Sequence, residues 1–239
     1  MTVKEEADKT DVDAVQIWSP KGLQEEFASM IEAYRDKETE HNWEARERYI
    51  TRLRGILRGN SVEKYPDVLT AGIRQMVDGI LKAVESLRTT LASNALSLVA
   101  DIGIYASKGL DNYMYDHFLN CLIKCASMTK KIIASASMNT TITFIRHTRY
   151  YPKIMNMLWL TMNEKNNQAR LHTVIYTKTV LQTHAHQDHT RASMDRSNGT
   201  DILENILKKG LTDATPAVRE ACREAFWIFL EYWKERGEA

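Results

Sequence analysis

Residues 216–233 read PAVREACREAFWIFLEYW. Within them Val218, Ala221, Cys222, Ala225, Phe226, Phe229 and Trp233 recur at i, i+3, i+4 and i+7, the period of a single helix face. Pro216 suits the first helical position, where its fixed φ fits and no amide is missed, and Thr215 before it offers a hydroxyl N-cap. One helix cannot cover so wide an apolar face by itself. The segment therefore predicts a helix that folds only against neighbours of the same kind.

Working outward, helix-period segments fall in pairs: 22–37 with 43–58, 67–85 with 89–107, 110–127 with 129–148, 151–163 with 167–194, and 200–211 with 216–235. The first helices of these pairs start 45, 43, 41 and 49 residues apart, which matches a two-helix repeat unit of about 40–47 residues. With only 4 Pro and 10 Gly, most at segment edges, short alternating strands are not supported. The pattern predicts an all-α, HEAT-repeat α-solenoid of five to six helix pairs. Residues 1–14 are charged and poor in large apolar side chains, the composition of a disordered linker or tail, so the folded domain is expected over 15–239. Asn42 is expected to cap the helix that opens Trp43-Glu44.

The charge balance, 32 Lys+Arg against 31 Asp+Glu, argues against a nucleic-acid binder. No apolar run approaches the ~20 residues that span a bilayer, so no membrane partner is expected, and the acidic opening MTVKEEADKTDVDA is unlike a signal peptide. Three cysteines in a chain of this length form no disulfide framework and fit a reducing compartment. There is no Gly-rich phosphate loop, G-x-S-x-G elbow or H-E-x-x-H pair, so neither an enzyme nor a cofactor is expected. His117, Cys121 and Cys125 share a helix face and could hold zinc, but with Tyr113, Phe118 and Leu122 around them they read as core packing. His184, His186 and His189 in THAHQDHT suit no single helical face and read as a solvated loop.

In a solenoid the turns within pairs line one edge, where such proteins commonly bind. Here the first turn holds Asn42, Trp43 and Arg46, and the second Arg88, Thr89 and Thr90. The third holds Lys130 and Lys131, the fourth Lys165 and Arg170, and the fifth Arg219 and Arg223. A basic stripe led by a tryptophan suits an acidic protein surface, with the indole as anchor and the cations as orienting charges. The alternative is that Trp43 packs on the first helix and the cations are ordinary solvated caps.

Four stretches carry a resemblance: VQIW (15–18), HNWEARERYITRLRGILRGN (41–60), FIRHT (144–148) and KKGLTDATPAVREACREAFW (208–227). In these the chain resembles a TOG domain of the CLASP family of microtubule-associated proteins, most nearly the second, central one. The resemblance implies that Trp43, Arg46, Arg88, Thr89, Lys130, Lys131, Lys165, Arg170, Arg219 and Arg223 face αβ-tubulin. It further implies action at microtubule ends, suppressing catastrophe and promoting rescue, in the cytoplasm, on the cytoskeleton and mitotic spindle, and at the kinetochore or in the nucleus. The second turn departs from the family at Thr89-Thr90, and the fourth has no basic cluster after Arg170. An isolated domain is expected to be monomeric and to need no metal. The competing reading is a HEAT-repeat scaffold for a non-tubulin protein or peptide.

Overall fold

The computed structural model describes residues 12–238; it is mostly helical, with an extended segment ahead of the first helix, turns between helices and no strand among the described residues. The chain divides into two compact units, up to Met114 and from Tyr115, with one helix crossing the division.

The first unit contains α1 (Pro20–Ala33), α2 (Trp43–Arg58), the single turn α3 (Ser61–Lys64), α4 (Pro66–Val84) and α5 (Thr89–Tyr105), then a 3-10 turn, Ser107–Gly109. Helix α1 packs beside α4, and α2 beside α5, so two layers enclose a core that includes Phe27, Met30, Leu53, Ile56, Ile73, Val77, Leu96 and Val99. The approach of α1 to α4 depends on Gly72, because a Cβ there would lie 2.1 Å from the Phe27 ring. Between α2 and α5 a buried polar cluster fixes register: Arg54 Nε donates to Asp101 Oδ2 at 2.7 Å, and Arg58 Nη2 reaches Oδ1 at 3.2 Å.

Ahead of α1 an extended segment lies along the end of α2. Val15 N donates to the Gly55 carbonyl at 2.8 Å, and Ile17 exchanges two hydrogen bonds with the Asn60 side chain. The tail expected over 1–14 lies outside the described residues as far as Asp11. Its last part differs from that expectation, since the Val12 carbonyl accepts from Arg58 Nη1 at 3.5 Å.

Helix α6 (Asn112–Ala126) leads into the second unit, which holds α7 (Lys131–His147), α8 (Ile154–Met162), α9 (Asn167–His184), α10 (Asp188–Arg196), α11 (Gly199–Leu211), α12 (Pro216–Tyr232) and α13 (Lys234–Gly237). Here α8 packs on α11, while α7, α9 and α12 form the other layer. The expected pairs are present, with two corrections to their extent. The segment read as one helix over 167–194 is two, because the chain turns after His184. The Ala185 carbonyl left at the end of α9 is taken by Arg191, which also pairs with Asp188 at the start of α10. The helix expected over 216–235 stops at Tyr232 and is followed by the separate turn α13, with Trp233 between them stacked on Phe229 at 5.2 Å between ring centroids.

Both expected caps are also corrected. Asn42 and Thr215 occupy the N-cap positions, but neither side chain caps its helix. Asn42 instead closes its own turn, accepting from Thr39 N at 2.8 Å and donating to the Lys37 carbonyl at 2.9 Å. The Thr215 hydroxyl lies 3.4 Å from Arg170 Nη2.

Candidate binding turns

The turn between α1 and α2 is shaped from inside by Arg46, which the sequence reading placed among the partner-facing cations. The structure corrects this: Arg46 is 2% exposed. Its Nε donates to the Ala33 carbonyl, left over at the end of α1, at 3.1 Å and its Nη2 to the Asp36 carbonyl of the turn at 2.5 Å. The guanidinium lies 5.0 Å from the centre of the Tyr34 ring, and Tyr34 Oη donates back to the Arg46 carbonyl at 3.1 Å. Burial pushes the Tyr34 hydroxyl well above its usual pKa, so it stays a neutral donor.

With the turn fixed in this way, Trp43 opens α2 half-exposed. It is not packed into the core, and the Arg88 guanidinium from the second turn lies 5.2 Å from the centre of its ring. Arg88 Nη1 also meets Glu38 Oε1 at 3.3 Å, the Ser86 hydroxyl donates to the same oxygen at 2.9 Å, and Ser86 Oγ accepts from Arg88 N at 3.1 Å. First and second turns are thus latched together through Glu38. Thr89 follows, half-exposed, as the first residue of α5, and Leu87 beside it is 91% exposed.

In the second unit, Lys130 and Lys131 are exposed at the start of α7, flanked by exposed Met128 and Ile132. Lys165 is exposed in the turn before α9, whose first amides are capped by Asn166 Oδ1, accepting from Gln168 N at 2.9 Å. Arg170, expected at the surface, is 14% exposed and is likewise corrected to a support. Its Nε donates to Asp213 Oδ2 at 2.6 Å and its Nη1 to the carbonyls of Glu164 and Lys165, so one guanidinium ties the fourth turn to the fifth. That hydrogen bond, more than any other cause, holds the Asp213 carboxyl below its ordinary pKa. Arg219 is half-buried and donates to the Asp213 carbonyl at 2.6 Å, whereas Arg223 is exposed and pairs with Glu220 at 2.6 Å.

The ten expected residues therefore divide. Trp43, Arg88, Thr89, Lys130, Lys131, Lys165 and Arg223 present surface, while Arg46, Arg170 and, in large part, Arg219 hold the turns in shape. Sequence reasoning missed Glu38, Ser86 and Asp213, the acceptors that organise these cations. Asp213 had a signal, six residues before Arg219 across a turn, but Glu38 and Ser86 had none.

The electrostatics run against intrinsic helix preference. Helices α5, α7, α9 and α12 carry no acidic residue in their first turns, and Arg88, Lys130, Lys131, Arg170 and Arg219 sit at those N-termini. A positive dipole end favours acids, so cations there forgo stability. The added charge is offset by Glu38 at Arg88 and by Asp213 at Arg170, and stays exposed at Lys131.

His184 departs from the solvated-loop reading. It is buried with Nε2 3.1 Å from the Ile145 carbonyl, and desolvation lowers its pKa, while His186 and His189 are exposed. Among the described residues, no group of three or more His, Cys, Asp or Glu is placed to hold a metal ion. Nor is any helix there long and apolar enough to cross a membrane.

Comparison with known proteins shows the family to which the chain belongs. The family described as CLASP N terminal matches residues 23–239. Protein STU1 of Chaetomium globosum is 36% identical over 233 residues, covering 97% of this chain and 20% of that protein. Protein STU1 of Cryptococcus neoformans var. neoformans is 37% identical over 231 residues, covering 95% of this chain and 18% of that protein. The chain thus spans about a fifth of the length of these relatives. Among solved structures, one described as "TOG-tubulin binding specificity promotes microtubule dynamics and mitotic spindle formation" superposes with a TM-score of 0.58. It is 10% identical and covers 94% of this chain and 83% of that one, a likeness of fold. Matched over nearly its whole folded length, the chain belongs to the CLASP N-terminal family.

Proposed function

We propose that this chain is a tubulin-binding TOG domain that engages αβ-tubulin through the turns within its helix pairs and thereby regulates microtubule dynamics. The observation that carries this reading is the half-buried Trp43 held under the Arg88 guanidinium in the first unit, together with, in the second, exposed Lys130 and Lys131 at the start of α7 against local preference. Such groups offer an aromatic anchor and oriented positive charge to an acidic partner. Membership in the CLASP N-terminal family and the likeness of fold to a TOG structure support the same reading.

The mechanism needs no bond-making, metal or cofactor. A domain shifts the balance of growth and shrinkage only by binding one tubulin shape better than another, so turns fixed in one geometry suffice to suppress catastrophe and promote rescue. The site of action is the cytoskeleton, including the mitotic spindle, with αβ-tubulin and microtubule ends as partners. Because the contacting charges are exposed, binding weakens as salt shortens the Debye length from ~10 Å at 0.1 M.

The test is dynamic microtubule growth followed by light microscopy with the purified domain, wild type against a Trp43→Ala, Lys131→Ala variant of matched melting temperature. Lower catastrophe or higher rescue frequency with wild type alone is the expected result. No effect of wild type at high concentration would overturn the reading in favour of a HEAT-repeat scaffold for another protein partner.

A further inference from the structure

Cys121 and Cys125 lie one turn apart on α6, with their sulfurs 3.9 Å apart. Cys125 is 1% exposed and Cys121 9%, so the pair is approached from the Cys121 side. A disulfide does not suit this placement. Residues four apart on a helix keep their Cβ atoms about 5–6 Å apart, whereas a disulfide needs about 3.5–4.5 Å. Direct oxidation would therefore require the last turns of α6 to unwind.

One atom bonded to both sulfurs requires no unwinding. With bonds of about 2.3 Å, the length of a metal–thiolate bond, a 3.9 Å separation subtends roughly 116° at the bridging atom. A three-coordinate centre that keeps a lone pair is pyramidal and holds its sulfurs at less than the tetrahedral angle, so the pair would close by a fraction of an ångström, a movement that rotation of the less buried Cys121 side chain supplies. An ion that demands three or four protein ligands is not served, since no such group is placed for it among the described residues. The fitting occupant is a thiophilic centre content with two sulfurs, and at this depth the product should be uncharged, because an unpaired buried charge is costly.

We propose that Cys121 and Cys125 form a dithiol site for trivalent arsenic, a modification independent of the turns and of tubulin. Arsenous acid, As(OH)3, reacts with the two thiols to give a hydroxyarsenic dithiolate. Two As–S bonds form and two As–O bonds break, and each departing hydroxide takes a thiol proton and leaves as water. Arsenic stays trivalent throughout, so no oxidant or reductant takes part, and the adduct is neutral. The bridge spans the last full turn of α6, which ends at Ala126 just before the turn carrying Lys130 and Lys131.

The experiment is native mass spectrometry of the full chain treated with arsenous acid, with far-UV circular dichroism on the same samples. Wild type and Cys222→Ser should each gain one arsenic with loss of two waters while keeping full helicity. Cys121→Ser, Cys125→Ser and the apolar Cys125→Ala should not gain it. Melting curves identify any variant that has not folded, and the remaining single-cysteine variant then decides. An adduct that appears only in denaturant, that is accompanied by loss of helicity, or that persists in a folded variant lacking one of the two thiols would overturn the proposal.

Discussion

The arginines of the turns show that residue type alone does not reveal a role. Arg46 and Arg88 sit in adjacent turns, yet one is sealed under Tyr34 and satisfies backbone carbonyls, while the other lies over a half-exposed indole. Arg46→Ala is expected to cost roughly 2–3 kcal/mol, the scale of lost hydrogen bonds from a charged donor, and to weaken microtubule effects only by loosening the turn. Trp43→Ala is expected to abolish those effects while shifting stability by less than the ~3–5 kcal/mol of a buried aromatic truncation. Urea melts of both variants, run beside the microscopy assay, check this ordering; equal losses of stability would contradict it. The sequence marked both arginines as candidates, because a cation near a turn looks the same whether it faces outward or inward. What separates them is Tyr34, twelve positions before Arg46 and brought over it only by the fold.

At the scale of elements, the helices were legible because their apolar period, prolines and flanking polar residues agreed. The beginnings of α2, α4, α5, α9 and α12 fall at or within a residue of the positions expected. The break inside 167–194 was half legible: THAHQDHT reads as a loop, and the chain does turn there, but nothing marked the helix that resumes at Asp188 or the closure of the turn by Arg191 reaching back to Ala185. The caps were misread for a related reason: Asn42 and Thr215 found other partners once their turns had formed. Helix α7 gives a prediction in which stability and function part company. Lys131→Glu places an acid at the positive end of the dipole and should raise stability by up to about 1 kcal/mol at low salt, while reducing microtubule binding. Thermal melts and co-sedimentation with microtubules measure the two sides. A variant that is both stabilised and fully active would remove Lys131 from the interface.

For the whole molecule, the two units bury different polar chemistry. The first relies on the Arg54–Asp101–Arg58 cluster, whereas the second buries two histidines, His172 and His184. Desolvation is the largest cause of the lowered pKa of each. A lowered native pKa means that the unfolded chain takes up protons first, so the stabilisation is full above the unfolded value of about 6.5 and is lost as pH falls from there through the lower native values. Asp213, also lowered, adds a second loss below the ordinary carboxylate range. Stability should therefore decline between pH 7.5 and pH 5, measured by urea unfolding, and the first part of that decline should be shallower in His172→Gln. A flat profile over this range would show that the histidines are hydrated in the native state.

The latches between neighbouring turns, Glu38 with Ser86 and Arg88 in the first unit and Asp213 with Arg170 in the second, also bear on how fast a partner is captured. Loops held by charge-assisted hydrogen bonds have already given up their conformational freedom when the chain folds, so little further ordering accompanies docking. Association should then be governed by diffusion and charge steering, with no slow rearrangement after the encounter. Cutting a latch should leave an interface of unchanged composition that docks with a larger entropic penalty and a slower approach to the bound state.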